Sequence, residues 1–101
     1  MSAAAVLARL AAAGAELSEE SGGLRVRAPV PLPPALLGEA RKAKPALLRV
    51  ASEAWRVDLV TWPNWRRDLY EERAAIREYD GQQPRDLAER CAYLEAVEGP
   101  V

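Results

Sequence analysis

Ser21-Gly22-Gly23-Leu24-Arg25-Val26-Arg27-Ala28-Pro29 is the stretch that decides the fold. Leu24, Val26 and Ala28 alternate with Arg25 and Arg27. Only an extended strand gathers those apolar residues on one face and leaves the two cations on the other. Ser21-Gly22-Gly23 supplies residues that tolerate the positive φ of a tight turn. Upstream, Leu17 is the apolar residue of a short first strand, so residues 15–28 read as an antiparallel β-hairpin. Pro29, Pro31, Pro33 and Pro34 follow. Proline fixes φ and lacks a ladder donor, so the second strand cannot run past Ala28, and 29–34 is a stiff extended connection.

Helices frame the hairpin. Residues 2–13 are Ala-rich, with Ser2 placed as an N-cap, Ala3, Val6, Leu7 and Leu10 at helical spacing, and Gly14 where a C-terminal glycine belongs. Pro34 suits the first turn of a helix running to about Ala43, with Leu36, Leu37 and Ala40 as its apolar side. Pro45 then opens a third helix carrying Leu47, Leu48 and Ala51. Residues 55–60 fit two templates. Trp55, Val57 and Leu59 alternate with Arg56 and Asp58 as a strand would, yet Leu47, Leu48, Ala51, Trp55 and Leu59 also form one helical stripe. The reading preferred here ends that helix near Trp55.

Residues 63–79 read as a further helix, with Trp62, Trp65, Leu69, Ile76 and Tyr79 as its apolar stripe and Asp80-Gly81 as its stop. Pro84 opens a last helix to about Val97, with Leu87, Cys91 and Leu94 on one side. These two helices form an expected antiparallel hairpin. In a chain without Phe, Trp55, Trp62 and Trp65 are expected in the core, with Trp62 the least constrained of the three. The expected fold class is therefore α+β: an α-β-β-α-α unit over residues 1–54 and a C-terminal helical extension over 55–101.

Composition narrows the chemistry. Histidine is absent, which removes the commonest general base and metal ligand. The single cysteine, Cys91, lies on an apolar stripe and reads as a packing residue. It also excludes an internal disulfide and points to the cytoplasm. Adjacent Glu71 and Glu72 face different helical sectors. No phosphate loop, dinucleotide fingerprint or metal spacing is present, and no segment reads as a membrane span or signal peptide. The expectation is a non-enzyme without cofactor or metal and with no membrane partner. The 101 residues carry a net charge of −1, but residues 25–49 hold Arg25, Arg27, Arg41, Lys42, Lys44 and Arg49 against Glu39 alone. That stretch is a local positive surface.

The order of these pieces resembles a known family. An Ala/Leu-rich helix ends in Gly14; Ala15-Glu16-Leu17, a turn and Gly23-Leu24-Arg25-Val26-Arg27-Ala28-Pro29 follow; then come Pro34-Ala35-Leu36-Leu37 and Lys44-Pro45-Ala46-Leu47-Leu48. Over residues 2–53 this resembles the TubC-type N-terminal docking domain, or β-hairpin docking domain, of non-ribosomal peptide and polyketide synthase subunits. The resemblance implies an α-β-β-α-α fold that binds a short, often acidic, C-terminal peptide as a strand beside the second hairpin strand, and some members are homodimers. By position, Arg25 and Arg27 become the charged readers, Leu24, Val26 and Ala28 the strand's core face, and Lys42 and Lys44 neighbours of its end. Two features depart from the family. Leu32-Pro33-Pro34 stands where Thr or Ser precedes the proline, and no synthase domain follows within these residues. Residues 62–95, including Trp65-Arg66-Arg67-Asp68-Leu69-Tyr70, resemble a segment of small proteobacterial proteins of phage or plasmid character.

Three functions compete on this footing. The first is a protein-interaction module taking an extended acidic peptide along Arg25–Ala28. The second is a nucleic-acid accessory factor of a mobile element using Arg41, Lys42, Lys44, Arg49, Arg66 and Arg67. The third is a structural subunit that docks through its Trp-bearing helical hairpin. The bland alternatives are ordinary: outward charges are common on a half-exposed hairpin, and a basic run is commonly the wet face of a helix.

Overall fold

A computed structural model describes residues 1–98 as six helices and one two-stranded antiparallel hairpin, an α+β fold. The order is α1 (Ala3–Ala12), β1 (Glu16–Glu20), β2 (Gly23–Arg27), α2 (Pro34–Lys42), α3 (Lys44–Ala51), α4 (Trp55–Thr61), α5 (Asn64–Tyr79) and α6 (Arg85–Glu98). Residues 99–101 of the expected C-terminal extension lie outside the described residues.

Local chemistry sets the ends of α1. Ser2 Oγ accepts the Ala5 N–H at 3.1 Å. At the other end Gly14 takes φ +80°, and its N–H donates to the Ala11 carbonyl at 2.9 Å while the Ala15 N–H reaches the Leu10 carbonyl at 2.9 Å. These two hydrogen bonds satisfy two orphan carbonyls and turn the chain into β1. A Cβ at Gly14 would also sit 3.2 Å from the Pro29 ring, so glycine is required there twice over. The hairpin closes through Ser21 (φ 53°) and Gly22 (φ 80°), the two successive positive φ values of a type I′ turn. Its register pairs Glu16 with Arg27, Leu17 with Val26, Ser18 with Arg25 and Glu19 with Leu24. The strand ends at Arg27, so Ala28 lies outside the ladder and is exposed rather than on the core face.

The buried cluster joins the chain from end to end. It includes Val6, Leu7 and Leu10 of α1, Leu47 and Val50 of α3, Trp55 of α4, Tyr70 and Ala74 of α5, and Cys91, Tyr93 and Leu94 of α6. Residues on both sides of position 54 share it. α6 is the central element, with Ala88, Cys91, Ala92, Tyr93, Leu94 and Ala96 all buried and both α1 and α5 packed on it. Its alanines let neighbouring backbones come close, and the Cys91 thiol reaches the Ala4 carbonyl of α1 at 3.7 Å. No helix among the described residues is long and apolar enough to cross a membrane.

Two sequence expectations are corrected. The first is the segment after α3. That helix ends at Ala51, and Ser52 is extended (φ −114°, ψ −177°) with its Oγ accepting the Ala54 N–H at 3.3 Å. The chain then starts a separate helix at Trp55 instead of ending one there. The local turn at Ser52 breaks the helix, and Arg90 of α6 caps the open end by donating to the Val50 and Ser52 carbonyls. The second is the inner face of α5. Trp65, Ile76 and Tyr79 face outward, with Trp65 54% and Tyr79 77% exposed, while Leu69 is half-buried against the core and Tyr70 and Ala74 are the buried pair. Of the tryptophans, Trp55 is fully buried and Trp62 half-buried, but Trp65 does not enter the core.

The inward face of α5 is chosen by aromatic and polar partners that hydrophobicity counting misses. Tyr70 lies 6.3 Å from the Trp55 ring, Trp55 lies 5.2 Å from Tyr93, and Trp62 stacks on Tyr93 at 5.1 Å. The Tyr93 hydroxyl donates to Asp58 at 2.5 Å. Arg67 donates to the Leu59 carbonyl at 3.0 Å and the Val60 carbonyl at 3.2 Å, satisfying the orphan end of α4. Arg77 pairs with Glu95 of α6.

Candidate functional site

Strand β2 and helix α2 face each other across a groove of about 300 Å³ lined by Leu24, Val26, Leu37, Ala40, Arg41 and Lys44. The strand's alternation and the helix's spacing build it. Leu24 and Val26 share one pleat face, Leu37, Ala40 and Arg41 lie at steps of three and one on α2, and Lys44 joins them from the start of α3. The result is an apolar floor with two cations on its lip. Arg41 and Lys44 make no ion pair among the described residues, whereas Lys42 is 3.7 Å from Glu39.

Backbone geometry adds a second property. In a two-residue hairpin the pair flanking the turn, Glu20 and Gly23, exchanges ladder hydrogen bonds, and such pairs alternate with non-bonded ones. Ser18 with Arg25 and Glu16 with Arg27 therefore close the ladder, while the N–H and C=O groups of Leu24 and Val26 point away from β1. The sheet has two strands only, so these groups have no strand partner. An unpaired edge beside an apolar floor is the arrangement that accepts an added strand.

The cations of β2 stand on the other pleat face. Arg25 reaches its neighbour Glu20 at 2.6 Å, with both side chains more than half exposed. Such a pair contributes little stability. Arg27 has no ion-pair partner among the described residues and lines a shallow recess of about 320 Å³ with Gly14, Glu16, Ala28 and Pro29.

The residues singled out by sequence thus divide. Leu24, Val26 and Lys44 meet in the groove, joined by Arg41 from the nucleic-acid set. Arg25 and Arg27 flank it on the reverse face. Ala28 is beyond the strand end. Lys42 turns toward a different recess, with Met1, Ser2, Ala46 and Glu98. Leu37 and Ala40 had been read only as the apolar side of a helix; their facing of β2 is a tertiary relation that no local spacing encodes.

The nucleic-acid set is spread over three helices, α2, α3 and α5. Arg41 and Lys44 sit at the groove and Lys42 on another recess. Arg66 lies over the Trp62 and Trp65 rings at 5.5 and 5.1 Å, and Arg67 is committed to the carbonyls that end α4. Arg49 is exposed on α3. A larger cleft of about 360 Å³ lies between α1, β1, α3 and α6, but its two charged α6 residues, Arg90 and Asp86, are already paired with each other at 3.0 Å. The Cys91 thiol is pushed up to about 11 by burial, which keeps it protonated and unreactive at neutral pH. Compared with protein-family profiles, curated proteins and solved structures, the chain has no match in any of the three.

Proposed function

We propose that this chain is a non-catalytic docking module that takes an extended, acidic peptide as an added strand in the groove between β2 and α2. The observation that carries the proposal is the coincidence, at one place, of an unpaired strand edge, an apolar floor and two unpaired cations. A strand laid beside Leu24 and Val26 satisfies their outward backbone groups, and those bonds supply sequence-independent affinity. Alternate side chains of such a strand rest on Leu24, Val26, Leu37 and Ala40. The others pass Arg25 and Arg27, and Arg41 and Lys44 favour acidic residues at the groove lip. The resemblance to β-hairpin docking domains supports the same reading, and the lone buried Cys91 suits the cytoplasm.

The test is an NMR titration of the labelled chain with a peptide that alternates Asp and Leu. Amide shifts confined to residues 23–29 and 37–44 are expected. An Arg41→Glu/Lys44→Glu variant should weaken binding at least ten-fold, about 1.4 kcal/mol. Shifts that fail to localise there at millimolar peptide would end the proposal. Tight binding of duplex DNA with a log–log salt slope of several units would favour the nucleic-acid reading instead.

A further inference from the structure

The outward face of α5 carries a second, independent surface. Trp65, Ile76 and Tyr79 stand on it and Leu69, half-buried against the core, lines its inner edge; together they recur at steps of four, seven and three over about 21 Å of helix. Trp65 is 54%, Ile76 43% and Tyr79 77% exposed, although the opposite side of the same helix is fully buried at Ala74. Large apolar groups aligned on one solvent-facing stripe mark an interaction face. Glu72 stands in the middle of this stripe, and Asp68 and Glu71 stand beside it. All three are exposed and make no ion pair among the described residues, where other acidic residues of the helical extension, Glu78, Asp86, Glu89 and Glu95, are paired. The cations nearby are engaged. Arg66 lies over the Trp62 and Trp65 rings, and Arg73 is 4.0 Å from Glu95.

We infer that this seam docks a basic amphipathic helix of another protein, laid lengthwise along α5 in coiled-coil fashion with a lysine or arginine opposite Glu72. Charge selects this occupant over a second copy of the chain. The seam runs from position 65 to 79, and position 72 is its midpoint. A two-fold pairing of two α5 seams therefore sets Glu72 against Glu72 whether the helices run parallel or antiparallel. Two carboxylates brought face to face in such a seam repel each other and lose their hydration. A partner with a central cation removes that repulsion and meets Asp68 and Glu71 with its flanks. The surface is distinct from the β2–α2 groove, and neither proposal rests on the other.

The probe is a synthetic helical peptide of about 20 residues with Leu at the two apolar heptad positions, one central Lys in that seam and Lys on both flanks. A control peptide carries Glu in place of every Lys. Amide shifts confined to residues 64–80 are expected with the basic peptide and none with the acidic one. Glu72→Lys and, separately, Trp65→Ala should each weaken binding at least ten-fold while leaving the circular dichroism unchanged. The inference is overturned if the acidic peptide binds equally well, or if the shifts map to other elements. It is also overturned if sedimentation shows a dimer that Trp65→Ala dissolves, because a second copy then covers the seam.

Discussion

Replacing Arg90 with methionine tests how the two halves of the chain are joined. The Arg90 side chain is 17% exposed. Its guanidinium donates to the Val50 carbonyl and, at 3.4 Å, to the Ser52 carbonyl, the groups left open where α3 ends. It also meets Glu53 at 2.6 Å and Asp86 at 3.0 Å, and lies 5.9 Å above the Trp55 ring. Methionine keeps the stem's packing and removes the donors. Leaving a part-buried carbonyl without its charged donor costs about 1.5–3 kcal/mol. Glu53 and Asp86 are each 64% exposed, so solvent screens the two ion pairs and they add little to the loss. The expected loss is about 2–3 kcal/mol, or a fall in Tm of about 10–20 °C for a domain of this size. Urea denaturation followed by circular dichroism measures it. The loss should persist in high salt, and the control Glu53→Gln/Asp86→Asn should leave the denaturation midpoint close to that of the parent chain. A loss for Arg90→Met below about 1 kcal/mol, or one that disappears in salt, would refute the claim that this residue acts by capping the open end of α3.

Two further predictions concern backbone and pH. Gln82 sits at φ 54° in the link between α5 and α6, where the Gln83 N–H closes onto the Arg77 carbonyl at 3.0 Å, so Gln82→Gly should stabilise the chain by about 0.5–1 kcal/mol in the same denaturation assay. Burial pushes Tyr93 up to about 12, with its hydrogen bond to Asp58 adding to the shift, and burial with the nearby Glu89 charge does the same for Tyr70. The folded state holds these protons more tightly than the unfolded one, whose tyrosines ionise near 10. Stability is therefore complete below about pH 10 and falls as pH rises from 10 to 12. Tyr93→Phe should reduce that alkaline loss, and equal losses in the two proteins would count against the assignment.

Much of the fold was legible because its signals are local. Ser2 and Gly14 bracket α1 through bonds made within a few residues. The Leu24–Arg27 alternation can only be a strand, and Ser21-Gly22 supplies two residues able to adopt positive φ. The proline run ends β2 for a covalent reason. Half of the groove was legible: Leu24 and Val26 from strand parity and Lys44 only through the docking-domain resemblance, whereas Leu37 and Arg41 lacked a signal pointing at β2. Position 82 shows the limit even of local rules, since the stop was read at Gly81 but the left-handed residue is its neighbour. A Cβ on Gly81 would lie 2.8 Å from the Arg77 carbonyl, so that glycine answers to a close approach instead.

The sequence by itself determined the periodicity of each element, the caps of α1 and the hairpin, because those are set by residues in covalent neighbourhood. Tertiary structure decided which face of α5 turns inward, since two stripes of the same period coexist there. The losing stripe is the more apolar one. Tyr70 finds Trp55, and Arg67 and Arg77 find carbonyls and carboxylates on α4 and α6, partners that no count along one helix can see. Tertiary structure also decided how the open end of α3 is satisfied, through an arginine 40 residues later in the chain. It further decided that β2 and α2 leave a groove between them, because that depends on how each packs against α3 and α1 and not on either segment alone.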